Sequence, residues 1–180
     1  FGGECLMTSS GHPNGTCRVA EASSHYDAEV VINIQGDEPL LDPVMIDEAA
    51  GVLLEDNEAL SSTLCAPITD PVSLADPNTV KVVTDLRGYA LYFSRSPIPY
   101  LRARGGGRQF RHIGIYGFRR DFLSAYAALA PTPLSVAESL EQLRVLEHGY
   151  NMKVAVTRGE PGPSVDTPED LERVRRALGC

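Results

Sequence analysis

The chain has 180 residues, 43% of them apolar and 22% charged, an ordinary composition for one globular domain. It holds no run of about 18 apolar residues, so no membrane span is read, and a net charge of −8 argues against nucleic acid as a partner. Cys5, Cys17, Cys65 and Cys180, like His12, His25, His112 and His148, lack the spacing of a disulfide framework or a zinc site, which points to a reducing, cytoplasmic setting.

In chain order, FGGECLMTSSGHP is neither a signal peptide nor a start at Met. It reads as an entry in mid-fold, with a short strand over 4–8. A turn-rich stretch over 9–16 follows, with Thr16 able to cap a short helix over 18–22. Residues 30–34 are a buried strand, broken sharply by Gln35-Gly36-Asp37-Glu38-Pro39. Asp42 and Pro43 then suit the N-cap and first position of a helix whose Ile46, Ala49, Ala50, Leu53 and Leu54 form one stripe.

A strand over 62–66 leads to a loop over 70–78 containing Pro71 and Pro77. Strands over 79–84 and 89–94 form a hairpin through Gly88. Pro97, Pro99 and Gly105-Gly106-Gly107 make a long excursion that reads as mobile. The strand over 112–119 has Gly114 and Gly117 at sites of close backbone approach. Asp121 suits the cap of a helix ended by Pro131 and Pro133. Ser135 and Glu138 make a capping box for the longest helix, closed by Gly149. Leu140, Leu143 and Leu146 face its core side, with Glu138, Glu141, Gln142 and Val145 on another face. A strand over 153–157 and a helix opened by Thr167-Pro168-Glu169-Asp170, with Leu171, Val174 and Leu178 inward, end the chain. Alternating helices and strands with a hairpin insert predict an α/β domain with a partly mixed sheet.

Four places hold polar residues that a plain fold does not require. Asp37 lies at the C-terminal end of a buried strand, where α/β sheets place ligands, and offers a hard oxygen suited to Mg²⁺. Taken alone, that turn fits a strand-to-helix connection with solvated acids equally well. HPNGTCRVAE offers glycine and hydroxyl groups to a nucleotide and Arg18 to its phosphate or base, although surface loops favour such residues anyway. Arg95, His112 and Tyr116 suit a pocket for an acidic polyhydroxyl ligand, with Glu141 and Gln142 for its hydroxyls. They also fit a core histidine, a core aromatic and a solvated helix face. Asp166 precedes a capped helix, as an accessory N-terminal charge or, with Asp37, as the second carboxylate of one Mg²⁺ site. Residues 86–120 carry eight Arg and no acid, which favours phosphate or carboxylate anions.

HPNGTCRVAE, INIQGDEPLL, NTVKVVTDLRGYALYFSRSPIP, FRHIGIYGFRRDFL, SLEQLRVLEHGYNMKVAV and PGPSVDTPEDLERVR together resemble the 3-deoxy-manno-octulosonate (Kdo) cytidylyltransferases, along essentially all 180 residues. The resemblance implies a three-layer, Rossmann-like nucleotidyltransferase fold over 1–180. Its sheet would be mixed and mostly parallel, with a hairpin-rich dimerisation insert around 79–120. It implies the reaction of CTP with Kdo to CMP-Kdo and pyrophosphate, for lipopolysaccharide synthesis, by a Mg²⁺-dependent cytoplasmic homodimer. Asp37 and Asp166 would hold Mg²⁺, and Gln35 would lie between nucleotide and sugar. Asn14, Gly15, Thr16 and Arg18 would contact CTP, and Arg95, His112, Tyr116, Glu141 and Gln142 would line the Kdo side.

Two departures stand out. Asn14 replaces a usual Ser, and Cys17 replaces an acid. The resemblance also implies further elements ahead of Phe1, a strand and a basic glycine loop that cradles the CTP phosphates, then a helix and a second strand. Without them the chain carries the metal and sugar half of the site. A non-catalytic fragment that only folds or dimerises, or a sister enzyme for 8-amino Kdo or a sialic acid, are the competing readings. Arg95, His112 and Tyr116 favour Kdo itself.

Overall fold

A computed structural model describes residues 2–103, 107–165 and 167–179. Its centre is a ten-residue strand, β5 (Phe110–Arg119), with both edges occupied. β2 (Ser61–Pro67) runs along one edge. β1 (Val30–Ile34) and the first residues of β3 (Lys81–Thr84) share the other, paired to Ile115–Arg119 and to Phe110 and Arg111. β4 (Ala90–Ser94) lies outside β3, and β6 (Met152–Val156) lies outside β2.

The sheet is mixed, as predicted, but not mostly parallel. Among the described residues β2 and β6 form the one parallel ladder of the five, and the other four are antiparallel. The reason lies in the connections. α2 (Val44–Glu55) carries the chain between β1 and β2, and a helical connection of that kind leaves the two strands pointing the same way. β5 arrives from the hairpin insert without such a crossover, slots between them and runs the opposite way.

Alternation along β5 sorts the core onto two faces. Ile113 and Ile115 meet Met45 and Ala49 of α2 and Leu64 of β2. His112, Tyr116 and Phe118 belong to the other face, where Phe118 packs with Phe122, Leu123 and Tyr126 of α4 (Arg120–Ala127), with Leu143 and Val145 of α6 (Leu143–Glu147), and with Met152. Each fully buried side chain of this size contributes roughly 1.5–3 kcal/mol. Gly117 is where α2 presses closest. A Cβ there would stand 2.3 Å from Ser62 Oγ and 3.0 Å from the Ala49 carbonyl oxygen. Gly114 needs no such reason, since a Cβ there meets only ordinary contacts at 3.7 Å.

Several local expectations are corrected. Residues 4–8 form no strand. A strand needs a neighbouring edge for its amides, and none of the six strands pairs there. This segment is held instead by side chains, with Arg18 donating to Thr8 Oγ1 at 2.6 Å and Glu21 accepting from the Ser9 amide. The first helix, α1 (Gly15–Ser23), starts earlier than predicted, because Asn14 and not Thr16 is its cap, accepting from the Cys17 amide at 2.8 Å. Pro71 opens α3 (Pro71–Ala75) within the expected loop, since proline at a first helical turn costs no hydrogen bond. α2 begins at Val44, whose amide Asp42 Oδ1 accepts at 3.0 Å. Asp121 lies in the first turn of α4 and does not cap it.

The predicted longest helix is two. α5 (Pro133–Glu138) stops at Ser139, which is left-handed with φ 51°, and α6 begins four residues later. In α7 (Pro168–Leu178), capped by Thr167 and Asp170, Val174 is buried but Leu171 and Leu178 are 39% and 57% exposed. Gly105 and Gly106 of the predicted excursion lie outside the described residues.

Candidate active site

A cavity of about 370 Å³ opens on the α4–α6 side of the sheet. Four chain segments bring the predicted residues to it. The turn after β1 supplies Gln35 and Asp37, β5 supplies His112 and Tyr116, the break between α5 and α6 supplies Glu141 and Gln142, and α1 supplies Thr16. The turn is formed by the Glu38 amide donating to the Gln35 carbonyl at 3.2 Å. Its outer side is held by the Val165 amide, which donates to the Asp37 carbonyl oxygen at 2.9 Å. Asp37 therefore spends its backbone on structure and keeps its carboxylate at the cavity.

His112 sits between Phe93 and Tyr116, with ring centroids 5.1 and 5.4 Å away. Its Nε2 is 2.9 Å from Thr63 Oγ1. The Thr63 hydroxyl has the Ile115 carbonyl oxygen at 2.8 Å, which can only accept, so its one proton goes there. That gives Nε2 the donor role and leaves Nδ1 as the acceptor of the ring. Burial drives the imidazole down to about 3, so it stays neutral at physiological pH. Burial likewise pushes the Tyr116 phenol well above its ordinary range, helped by Tyr126, Glu141 and Asp37. Both groups thus face the cavity as neutral hydrogen-bonding partners.

Glu141 is largely open to the cavity, yet partial desolvation raises its carboxyl against the opposing pull of Arg144 and the hydroxyls of Tyr126 and Thr16. Thr16 Oγ1 also receives a bond from Asn33 Nδ2 at 3.2 Å, in a buried contact. Thr16, from the N-terminal turn of α1 assigned from sequence to the nucleotide, therefore lines the same cavity as the sugar-side carboxylate.

Other predicted residues stand elsewhere. Asn14 caps α1, and neither it nor Gly15 lines the cavity. Arg18 holds Thr8 and Ser9. Arg95 does not line the cavity, because its guanidinium is occupied by carbonyl oxygens of Glu138 at 2.7 Å, Pro77 at 2.9 Å and Ser139 at 3.4 Å. It builds the wall behind Glu141 and Gln142. Asp166 lies outside the described residues, one position after the Val165 that bonds Asp37.

Two functional supports escaped the sequence reading. Lys81 is fully buried and donates to the carbonyl oxygens of Asp76, Thr79 and Arg95 at 2.6–2.9 Å, which shapes the Asn78–Val80 edge of the cavity. A lysine inside the apolar run TVKVVT was the available signal. Glu138 takes the Ser94 hydroxyl at 2.7 Å and the Arg95 amide at 2.9 Å, and burial notwithstanding, these bonds hold its carboxyl below the usual range. Its reading as one member of a helical face concealed this role.

A mixed sheet with a carboxylate at a strand end beside a polar cavity is the arrangement of a ligand-binding α/β domain. The cytidylyltransferase family model matches residues 1–154. The 3-deoxy-manno-octulosonate cytidylyltransferase of Geotalea daltonii is 48% identical over 99% of this chain and 74% of its own length. That of Solibacter usitatus is 51% identical over 98% and 70%. A solved CMP:2-keto-3-deoxy-manno-octonic acid synthetase complexed with CTP matches with a TM-score of 0.92 at 42% identity, covering 99% of this chain and 73% of that one. The chain belongs to the 3-deoxy-manno-octulosonate cytidylyltransferase family.

Proposed function

We propose that the protein transfers CMP from CTP to the anomeric hydroxyl of Kdo, releasing pyrophosphate and supplying CMP-Kdo for lipopolysaccharide synthesis. The observation that carries this reading is one cavity, in a chain of this family, lined by Asp37 and by His112, Tyr116, Glu141 and Gln142. Neutral His112 accepts through Nδ1, Tyr116 donates, Glu141 accepts and the Gln142 amide does both, a set suited to a polyhydroxylated acid sugar. Gln35 lines the cavity with Asp37 and with Thr16 of α1, and Asn14, Gly15 and Arg18, which lie outside that lining, are the further residues proposed to contact the nucleotide from the α1 side.

Asp37 and Asp166 are the proposed holders of Mg²⁺. The donor chemistry fits, because Mg²⁺ takes one or two carboxylates and completes its shell with water and phosphate oxygens. The Val165–Asp37 bond brings the two loops together. Among the described residues no group of three or more His, Cys, Asp or Glu is placed to hold a metal ion. When bound, the ion would neutralise charge on the triphosphate. The chain's own work is to align the anomeric hydroxyl with the α-phosphorus, by holding the sugar hydroxyls on the His112 and Glu141 walls.

The hairpin insert is the proposed dimer contact, supported by the place of β4 at the end of the strand order among the described residues and by Leu91 and Tyr100, 61% and 88% exposed. A cytoplasmic location accords with the absence, among the described residues, of any helix long and apolar enough to cross a membrane.

The test is pyrophosphate release with CTP, Mg²⁺ and each of Kdo, 8-amino Kdo and a sialic acid. Release is expected with Kdo above the others. Preference for the amino sugar overturns the substrate assignment, and release with none of them overturns the enzyme reading.

A further inference from the structure

Arg144 is 5% exposed, and among the described residues its Nε and Nη2 are buried without a hydrogen-bond partner. A buried guanidinium with two idle nitrogens is costly. Only Nη1 is satisfied, by the Leu129 carbonyl oxygen at 3.1 Å, and the guanidinium carbon stands 4.7 Å from the centre of the Tyr126 ring. Cys17 is buried on α1 with its Sγ 3.8 Å from the Ala127 carbonyl oxygen. The cation is thus spent on an aromatic ring, and that ring belongs to a cavity-lining tyrosine.

Tyr126 is 2% exposed and lines the cavity together with Thr16 and Glu141. Arg144 follows Glu141 by three residues, and its amide donates to the Glu141 carbonyl at 3.1 Å, so both side chains rise from the same turn. A cation over a phenol face withdraws electron density and makes its O–H a stronger donor. We propose that Arg144 is a positioning residue that acts through Tyr126, polarising its hydroxyl so that it holds the Glu141 carboxylate oriented to accept from a sugar hydroxyl. This deepens the proposed function and rests on it.

The groups that face Glu141 are Arg144 from its own turn, Tyr126 from α4, Thr16 from α1 and Tyr116 from β5, with Asp37 and His112 lining the same cavity. Among the described residues Arg111 also lines the cavity, but Arg144 is the cation that acts on Glu141, so removing it pulls Glu141 towards its neutral form. Sugar binding would then weaken most at the acid end of the pH range.

The test compares Arg144→Met, Arg144→Lys, Tyr126→Phe and the double variant R144M/Y126F. At neutral pH, R144M and Y126F are each expected to raise KM for Kdo about tenfold, with KM for CTP within about twofold of the parent and the double variant no worse than either single. The R144M deficit should shrink as pH rises, and R144K should recover most of the loss. Additive effects, an equal rise for CTP, or an R144K as poor as R144M would overturn the proposal. If R144M fails to fold by circular dichroism, Y126F decides, and an unchanged KM for Kdo overturns it. Carboxyl ¹³C NMR of Glu141 needs no turnover, so it separates this proposal from the function it rests on. R144M or Y126F should move that titration upward, and an unmoved titration sinks the proposal even in an active enzyme.

Discussion

Glu138 and Arg95 grip each other twice. The Glu138 carboxylate accepts the Arg95 amide at 2.9 Å, and Arg95 Nε donates to the Glu138 carbonyl oxygen at 2.7 Å. The same carboxylate takes the Ser94 hydroxyl, so the end of β4 is fastened to the last turn of α5 just where the chain breaks to present Glu141 and Gln142. Glu138→Ala should cost about 1–3 kcal/mol of stability, the range for losing hydrogen bonds to a charged group. It should also raise KM for the sugar more than KM for CTP. Urea unfolding and steady-state kinetics check the two halves, and an unchanged sugar KM would show that the break is held without this clamp.

Asp37 uses its backbone carbonyl for Val165, so Asp37→Asn should leave the turn intact. Metal electrostatics are worth several kcal/mol in phosphoryl transfer, so turnover should fall roughly 100-fold or more. Sugar binding by calorimetry should change little. Turnover at the parent level over a magnesium titration would remove Asp37 from the metal site.

Gly117→Ala puts a methyl 2.3 Å from Ser62 Oγ and 3.0 Å from both the Ala49 carbonyl oxygen and Leu53 Cδ1. The Ser62 hydroxyl is already committed to the Ala49 carbonyl at 2.7 Å and cannot swing away freely. Overpacking of this kind costs about 1–3 kcal/mol. Thermal unfolding should show the loss, with the Gly114→Ala variant as the milder comparison.

His112 titrates near 6.5 when unfolded and near 3 when buried in the fold. Between those values the unfolded chain binds the extra proton, so stability falls as pH falls through that window, by up to about 1.4 kcal/mol per pH unit. Glu141, raised in the fold, pulls weakly the other way. The difference between the parent and His112→Asn isolates the histidine. Their stabilities should converge as pH drops from 6.5 towards 4.5. Parallel stability curves across that window would mean that His112 is charged in the fold.

Much of the fold was legible because periodicity and turn chemistry are local. β1, β2, the β3–β4 hairpin, β5 and β6 all lie within a residue or two of where alternation and glycine placed them. The strand over 4–8 and the single long helix failed for the same reason. A run of helix or strand formers is only a permission, and pairing edges or a clamp such as Arg95 with Glu138 decide whether it is used.

The site divides along the same line. The sequence by itself determined the residue types and the family: a carboxylate after an apolar strand, which the fold leaves mostly half-buried, a histidine and a tyrosine four apart on one strand face, and the Glu141-Gln142 pair. Those follow from spacing along the chain. Tertiary structure decided their roles. It turned Arg95 from a ligand candidate into a wall support, buried Lys81 under three carbonyl oxygens, and set Arg144, bonded through Nη1 to the Leu129 carbonyl oxygen, against the Tyr126 ring. Whether a charge meets a ligand or the protein's own backbone depends on which carbonyl groups and rings the fold carries within a few ångströms of it, and the widest of those encounters, Arg95 with Ser139, joins residues 44 positions apart only when the sheet has closed.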